Sequence, residues 1–172
     1  MRYLLDTNIV SEPLRPKPAR GIIQGLCQHQ EEAAIPAPVW HELRFGCARL
    51  PPSRRRSMIE RYIRDVVLTS FPVLDYNREA ADWHGFERAR LTSIGKTPPF
   101  VDGQIAAIAF VNDLILVTSN VRDFDGFRGL RVQNWTRSGR EAWTHHGEEH
   151  DSPSGPPPDT SIQQGSPPHG GK

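Results

Sequence analysis

The chain has 172 residues, 21 Lys+Arg against 20 Asp+Glu and a formal net charge of +1 at pH 7, enough length for one domain with a true core and too even a balance to announce a nucleic-acid or membrane partner. Its two cysteines, Cys27 and Cys47, exclude a disulfide framework, and their apolar neighbours suggest buried thiols. No apolar run approaches transmembrane length and "MRYLLD" meets a charge at once, so there is no signal peptide to read and the expected compartment is the cytoplasm.

In chain order, "YLL" (3–5) is a short apolar run of the buried-strand kind, and "ARGIIQGLCQH" (19–29) carries Ile22, Ile23 and Leu26 at helical spacing. "AAIPA" (33–37) is short and apolar. "PVWHELRFGCARL" (38–50) opens on Pro and repeats Val39, Leu43, Cys47 and Leu50 on one helical face. A helix capped by Ser53 is predicted over 53–69, with Met58, Ile59, Tyr62, Ile63 and Val66 as its apolar stripe. "FPVLD" (71–75) reads as a strand, 77–93 as a helix rich in good formers, and 97–113 as a helix entered through two prolines. "LILVT" (114–118) is the clearest strand, continuous, apolar and β-branched, and "LRVQNW" (130–135) is a last short one. Strands alternating with helices predict an α/β fold on a mainly parallel sheet.

The composition changes after residue 135. Residues 1–135 hold 18 Lys+Arg and 15 Asp+Glu, whereas 136–172 are net acidic and rich in Pro, Gly, Ser and His, with almost nothing to bury. A domain over 1–135 and a disordered tail over 136–172 are therefore expected, with His145, His146 and His150 read as incidental polar residues of that tail.

Four polar residues then stand out by position. Asp6 closes the first strand, at the edge where open parallel sheets bind ligands, although Asp, Thr and Asn are also ordinary helix caps. Asp102 lies in the first turn of its helix on the stripe continued by Ile105, Ala106 and Ala109, so it faces inward and needs a cation or metal as partner. Glu42 sits on the shoulder of the Val39/Leu43 stripe, and by itself reads as an exposed Glu beside Arg44 and Arg49. Asn120 follows the clearest strand, again at a carboxyl end, where a turn residue is the bland alternative. Each is weak alone. Together they converge on one sheet edge, and hard carboxylate oxygens without nearby His or Cys suit Mg²⁺ or Mn²⁺ over Zn²⁺. Such clusters commonly activate water and steady charge on phosphate during phosphodiester hydrolysis.

"YLLDTNIVSE", "PVWHELRFGCARL", "FVDGQIAAIA" and "LILVTSNVRDFDGF", in this order and spacing, resemble a PIN-domain ribonuclease, and most nearly the VapC toxins of type II toxin–antitoxin systems with their FitB-like relatives. The resemblance spans residues 1–135. It implies a three-layer α/β/α sandwich, Mg²⁺-dependent endoribonuclease activity (Mn²⁺ as a substitute), toxicity through RNA cleavage, and inhibition by a cognate VapB-like antitoxin. Asp6 and Asp102 match the family's principal metal ligands, Glu42 its third acidic position and Asn120 the fourth, where many relatives carry Asp. Ser119 stands where a basic residue is common. These departures weaken the negative field at that corner and argue against a tightly held second metal, not against the first.

In the expected mechanism Asp6, Glu42 and Asp102 hold the metal, Asn120 orients water or a phosphate oxygen, and Thr7 bonds Asp6 or the substrate. Asp123 is read as the cap of a following turn in preference to a group tuning metal-bound water. Arg15, Lys17, Arg20, Arg44, Arg49 and the run Arg54–Arg56 are candidate phosphate contacts, the last equally a solvated helical face. Apolar side chains of 19–29 and 53–69 offer either a groove for an antitoxin segment or the seam of a homodimer. The rival readings are a degenerate PIN fold that binds RNA or a partner without cutting, and a PIN nuclease of RNA processing. An Asp-nucleophile phosphatase is disfavoured because Asn8 stands where its second Asp would be.

Overall fold

β1 (Tyr3–Leu5), β2 (Ala33–Pro36), β3 (Val73–Leu74), β4 (Ile115–Val117) and β5 (Val132–Gln133) make one five-stranded sheet in the order β3-β2-β1-β4-β5. Every pairing is parallel, with Tyr3 between Ala33 and Ile115 at the centre. The protein is seen here in a computed structural model that describes residues 1–136. The tail expected over 136–172 therefore lies, but for Thr136, outside the described residues.

Seven α-helices connect and flank these strands among the described residues: α1 (Thr7–Val10), α2 (Arg20–Gln28), α3 (Ala37–Ala48), α4 (Arg54–Tyr62), α5 (Leu68–Ser70), α6 (Arg78–Ser93) and α7 (Phe100–Val111). The connections out of β1 and β2 run toward one sheet edge, while those out of β3 and β4 run toward the other. Parallel crossovers are right-handed, so the reversal puts helices on both faces and yields the three-layer α/β/α sandwich. The reversal also creates a switch point between β1 and β4, and a crevice opens there beyond the strands' carboxyl ends.

The core is built from β1 and β4, whose side chains are buried on both faces, and from α7, where Ile105, Ala106, Ala107, Ile108 and Ala109 are all buried. Small residues let α7 approach the sheet and α6 closely. At Gly103 the approach is closest: a Cβ there would run into the His84 imidazole of α6. Tyr76 fixes that imidazole through a 2.9 Å hydrogen bond to Nδ1, and burial with the nearby Arg88 charge lowers its pKa, keeping it neutral.

Helix starts follow their caps. Ser53 Oγ accepts from Arg56 N at 3.2 Å, and Asn77 Oδ1 accepts from Ala80 N at 2.9 Å. The stripe expected over 53–69 is corrected. After α4 the chain makes a π-helical turn over Ile63–Val67 before α5. The wider turn shifts the phase, so Ile63 and Val67 are fully buried while Val66 faces outward at 42% exposure; Met58, ahead of that turn on the edge of the α4 stripe, is 46% exposed. Cys27 is a second correction. α2 turns Ile22 and Gly25 inward, with the Trp135 indole against Gly25, which leaves Cys27 exposed; Cys47 is buried as expected.

Candidate active site

Asp6 leaves β1 with its backbone N–H still in the parallel ladder, donating to Val117 O at 3.0 Å. In the next residue the chain turns into α1, and Asp6 caps it: Oδ1 accepts from Thr7 N at 2.7 Å. The other oxygen is held from two sides, by Thr118 Oγ1 at 2.7 Å and Asn8 Nδ2 at 2.5 Å. Asp6 is thus both a cap and a fixed carboxylate. Burial raises its pKa and the Glu42 charge adds to the rise, against the lowering by Thr118, Thr7 and Asn8.

Thr118 and Asn8 were not singled out as site residues by the sequence, yet they set the geometry. Thr118 follows β4 and is fully buried; its hydroxyl donates to Asp6 and accepts from Asn8 Nδ2 at 3.1 Å and Asn120 N at 3.0 Å. Asn8 Oδ1 accepts from Ser119 N at 2.9 Å. The two side chains stitch the ends of β1 and β4 across the switch point. A polar residue closing an otherwise apolar strand is the one signal in the sequence that pointed to Thr118.

Glu42 comes in from α3, and its Oε2 accepts the Thr7 hydroxyl, so that hydroxyl serves Glu42 while the Thr7 backbone serves Asp6. Asp102 comes in from the first turn of α7, partly buried as its stripe predicted. Among the described residues no hydrogen-bond donor or salt-bridge partner pairs with its carboxylate. Burial, followed by the charges of Asp6, Asp123 and Glu42, pushes its pKa up to about 6.

That interaction corrects the reading of Asp123. It lies inside the 3₁₀ turn Val121–Phe124, not at its start, and its side chain caps nothing; its charge is felt at Asp102 instead. Asn120 occupies the turn's cap position without a side-chain cap bond. Its exposed side chain lines a shallow pocket with Ser119, Arg122, Asp123 and Asn134. Of the candidate phosphate contacts, Arg15 pairs with buried Glu12, and Arg56 with Glu60 and the Leu50 carbonyl, which makes both structural.

The structure thus brings Asp6, Glu42 and Asp123 within electrostatic reach of Asp102, and Glu42 within reach of Asp6. Among the described residues no three His, Cys, Asp or Glu side chains close into a ready-made coordination cage. The donor set nevertheless fits a hard cation: all ligand atoms are oxygens, and an unpaired, partly buried carboxylate with a raised pKa is the group a cation would relieve. Mg²⁺ asks for no full cage, since it keeps several waters and uses one or two carboxylates.

The PIN domain family model matches residues 3–130. The chain is 31% identical over 137 residues to the tRNA(fMet)-specific endonuclease VapC of Shigella flexneri, covering 79% of this chain and 99% of that protein. It is 30% identical over 124 residues to Toxin FitB of Neisseria gonorrhoeae, covering 70% and 89%. Among solved structures, FitAB bound to an IR36 DNA fragment superposes with a TM-score of 0.73 at 26% identity, over 84% of this chain and 99% of that one. DNA-bound VapBC from Salmonella typhimurium superposes at 0.70 and 27% identity, over 78% and 98%.

Proposed function

The chain belongs to the PIN-domain family, in the branch of the VapC and FitB proteins, and from that premise we propose that it is a divalent-metal-dependent endoribonuclease, the toxin of a type II toxin–antitoxin pair. The observation that carries the reading is the Asp102 carboxylate, pushed up to about 6 by burial and three like charges, with no cation paired to it among the described residues.

Asp6 and Asp102 would hold the ion, and Glu42 would join them directly or through water. When bound, the ion supplies Lewis-acid stabilisation of the scissile phosphate and a lowered pKa for water. The chain's own part is orientation. Thr118, Asn8 and Thr7 hold both oxygens of Asp6, and the Thr7 hydroxyl aims Glu42, so neither carboxylate must reorganise. The Asn120 amide, exposed and without a side-chain hydrogen bond among the described residues, would donate to a non-bridging phosphate oxygen. Arg122 and Lys96, which line the neighbouring cleft with Asp123, offset the charge of flanking phosphates.

A VapB-like antitoxin is the proposed partner. The outward Met58, Val66 and Leu68 of the α4–α5 region give an apolar helix or strap something to cover, and Phe86, 81% exposed on α6, supports a homodimer seam elsewhere. No helix among the described residues is long and apolar enough to cross a membrane. The test is cleavage of RNA by purified protein with Mg²⁺ or Mn²⁺, lost in chelator and in Asp102→Asn. Cleavage that persists in excess chelator would sink the metal assignment.

A further inference from the structure

The groove beside Glu42, away from Asp6, has no assigned occupant. It has a volume of about 460 Å³ and is lined by His41, Glu42 and Phe45 of α3, Tyr76 after β3, and Val101 and Gln104 of α7. Glu42 is common to the groove and the acidic crevice, so whatever fills one adjoins the other.

The lining is aromatic in an ordered way. His41 and Phe45 lie one turn apart on α3 with ring planes only 7° from parallel and centroids 6.1 Å apart. Phe45 is 58% exposed, an apolar face left to solvent. One turn further along, the Arg49 guanidinium sits 5.9 Å from the Phe45 centroid, and Arg44 lies 5.8 Å from Trp40 on the same helix. The outer face of α3 therefore runs aromatic, aromatic, cation at positions i, i+4 and i+8. The opposite wall is pre-placed, because the Tyr76 hydroxyl is bonded to buried His84. No hydrogen bond within the described residues occupies the Gln104 amide.

A flat π-face, a cation one step away and a free amide are the elements that read an unstacked nucleobase and its phosphate. We propose that this groove is a nucleobase subsite, which takes one unpaired base of a single-stranded RNA next to the scissile phosphate, stacked on Phe45 with its phosphate toward Arg49. The proposal rests on the ribonuclease reading and adds to it the position of one base, which must be unpaired there, since a base inside a duplex cannot reach the ring. Arg122 and Lys96 line the cleft that holds Asp123, while the groove holds Glu42, so the strand would meet an aromatic subsite at one carboxylate and basic groups at another.

The probe is a short single-stranded RNA in which 2-aminopurine replaces one base at a time, bound to Asp102→Asn protein so that it is not cut. Stacking quenches the fluorophore. Quenching at one position is expected, lost when Phe45→Ala is added and retained with Phe45→Trp. In the cleaving enzyme, Phe45→Ala should raise KM about 5- to 100-fold with a smaller change in kcat, the range that one base–aromatic stack is worth. An abasic nucleotide at the same position should impose that penalty on the wild type and add none in Phe45→Ala. Quenching and KM unchanged in Phe45→Ala overturn the subsite. So does a variant that alters only the oligomeric state in light scattering, which would make the groove a contact between copies. A wild type that quenches at Phe45 yet cuts no RNA with Mg²⁺ would support the subsite and count against the nuclease reading instead.

Discussion

Thr118 Oγ1 donates to Asp6 Oδ2 at 2.7 Å, joining two residues 112 positions apart at the carboxyl ends of neighbouring parallel strands. The same hydroxyl accepts from Asn8 and from the Asn120 backbone, so all of its hydrogen-bonding capacity is spent at the switch point. Replacing it with the similarly shaped Val takes one hydrogen bond from Asp6 Oδ2 and one from Asn8 Nδ2, which keep only each other, and leaves the Asn120 N–H without its partner. Thr118→Val should cost about 1–3 kcal/mol in chemical denaturation and weaken Mg²⁺ binding about tenfold or more by calorimetry. Thr118→Ser should recover most of both. Unchanged metal affinity in the Val variant would remove Thr118 from the site.

Asp102 has the opposite character, a charge held against its preference. Its folded pKa of about 6 lies above the ordinary 3.8, so the folded state binds the extra proton between those values. Stability from this group is present below about pH 4 and lost as pH rises through about 6. Without metal at pH 7.5, Asp102→Asn should therefore be more stable than wild type, by about 1–2 kcal/mol after allowance for solvent screening. The advantage should vanish near pH 4. Mg²⁺ should raise the wild-type Tm and leave the variant's nearly unmoved; a variant less stable than wild type in chelator at pH 7.5 would contradict the assignment.

Cleavage should follow the same group in the other direction. A protonated Asp102 cannot hold a cation, so kcat/KM at limiting Mg²⁺ should fall as pH drops through about 6, and saturating Mg²⁺ should move the fall to lower pH. A profile flat from pH 5 to 8 would exclude Asp102 as a ligand whose protonation limits the reaction.

Gly103 is next to Asp102 and has no room for a side chain, because His84 fills the space a methyl would need. Gly103→Ala should destabilise by about 1–3 kcal/mol and displace the first turn of α7, lowering activity more than Tm alone explains. Adding His84→Ala should recover part of the stability, a non-additivity that a double-mutant cycle measures directly.

Glu87, buried on α6, tests the scaffold away from the site. Burial alone would raise its pKa, but Arg90 and the Arg128 N–H hold it below the ordinary carboxylate value. Its contribution is present above pH 4.5 and lost in acid. Glu87→Ala should cost about 1–3 kcal/mol at neutral pH because the half-buried Arg90, which keeps its bond to the Gly126 carbonyl, and the Arg128 N–H lose their partner, with the deficit shrinking as pH falls toward 3.

Much of this was legible in the residues. The β-branched run 114–118, the capped starts at Ser53 and Asn77, and Asp102 on its inward stripe report local periodicity and capping, which act over a few residues. The misreadings have a common cause. Val66 points outward because a π-helical turn shifts the helix phase, and nothing in the spacing announces one. Cys27 is exposed because Trp135, more than a hundred residues away, claims the space at Gly25. The neighbours of Asp123 in sequence invite a cap, whereas its interaction is with Asp102 on another element.

The sequence by itself determined the alternation of strands and helices, the parallel sheet and the three carboxylates Asp6, Glu42 and Asp102, because hydrophobic period and residue chemistry are local properties. Only the tertiary structure decided which oxygen of Asp6 each donor holds, that Thr118 and Asn8 tie β1 to β4, that Asp123 joins the acidic set, and that His41, Phe45 and Tyr76 share a groove with Glu42. Those facts depend on strand order and helix crossing, where residues far apart in the chain meet, and no short stretch of sequence encodes them.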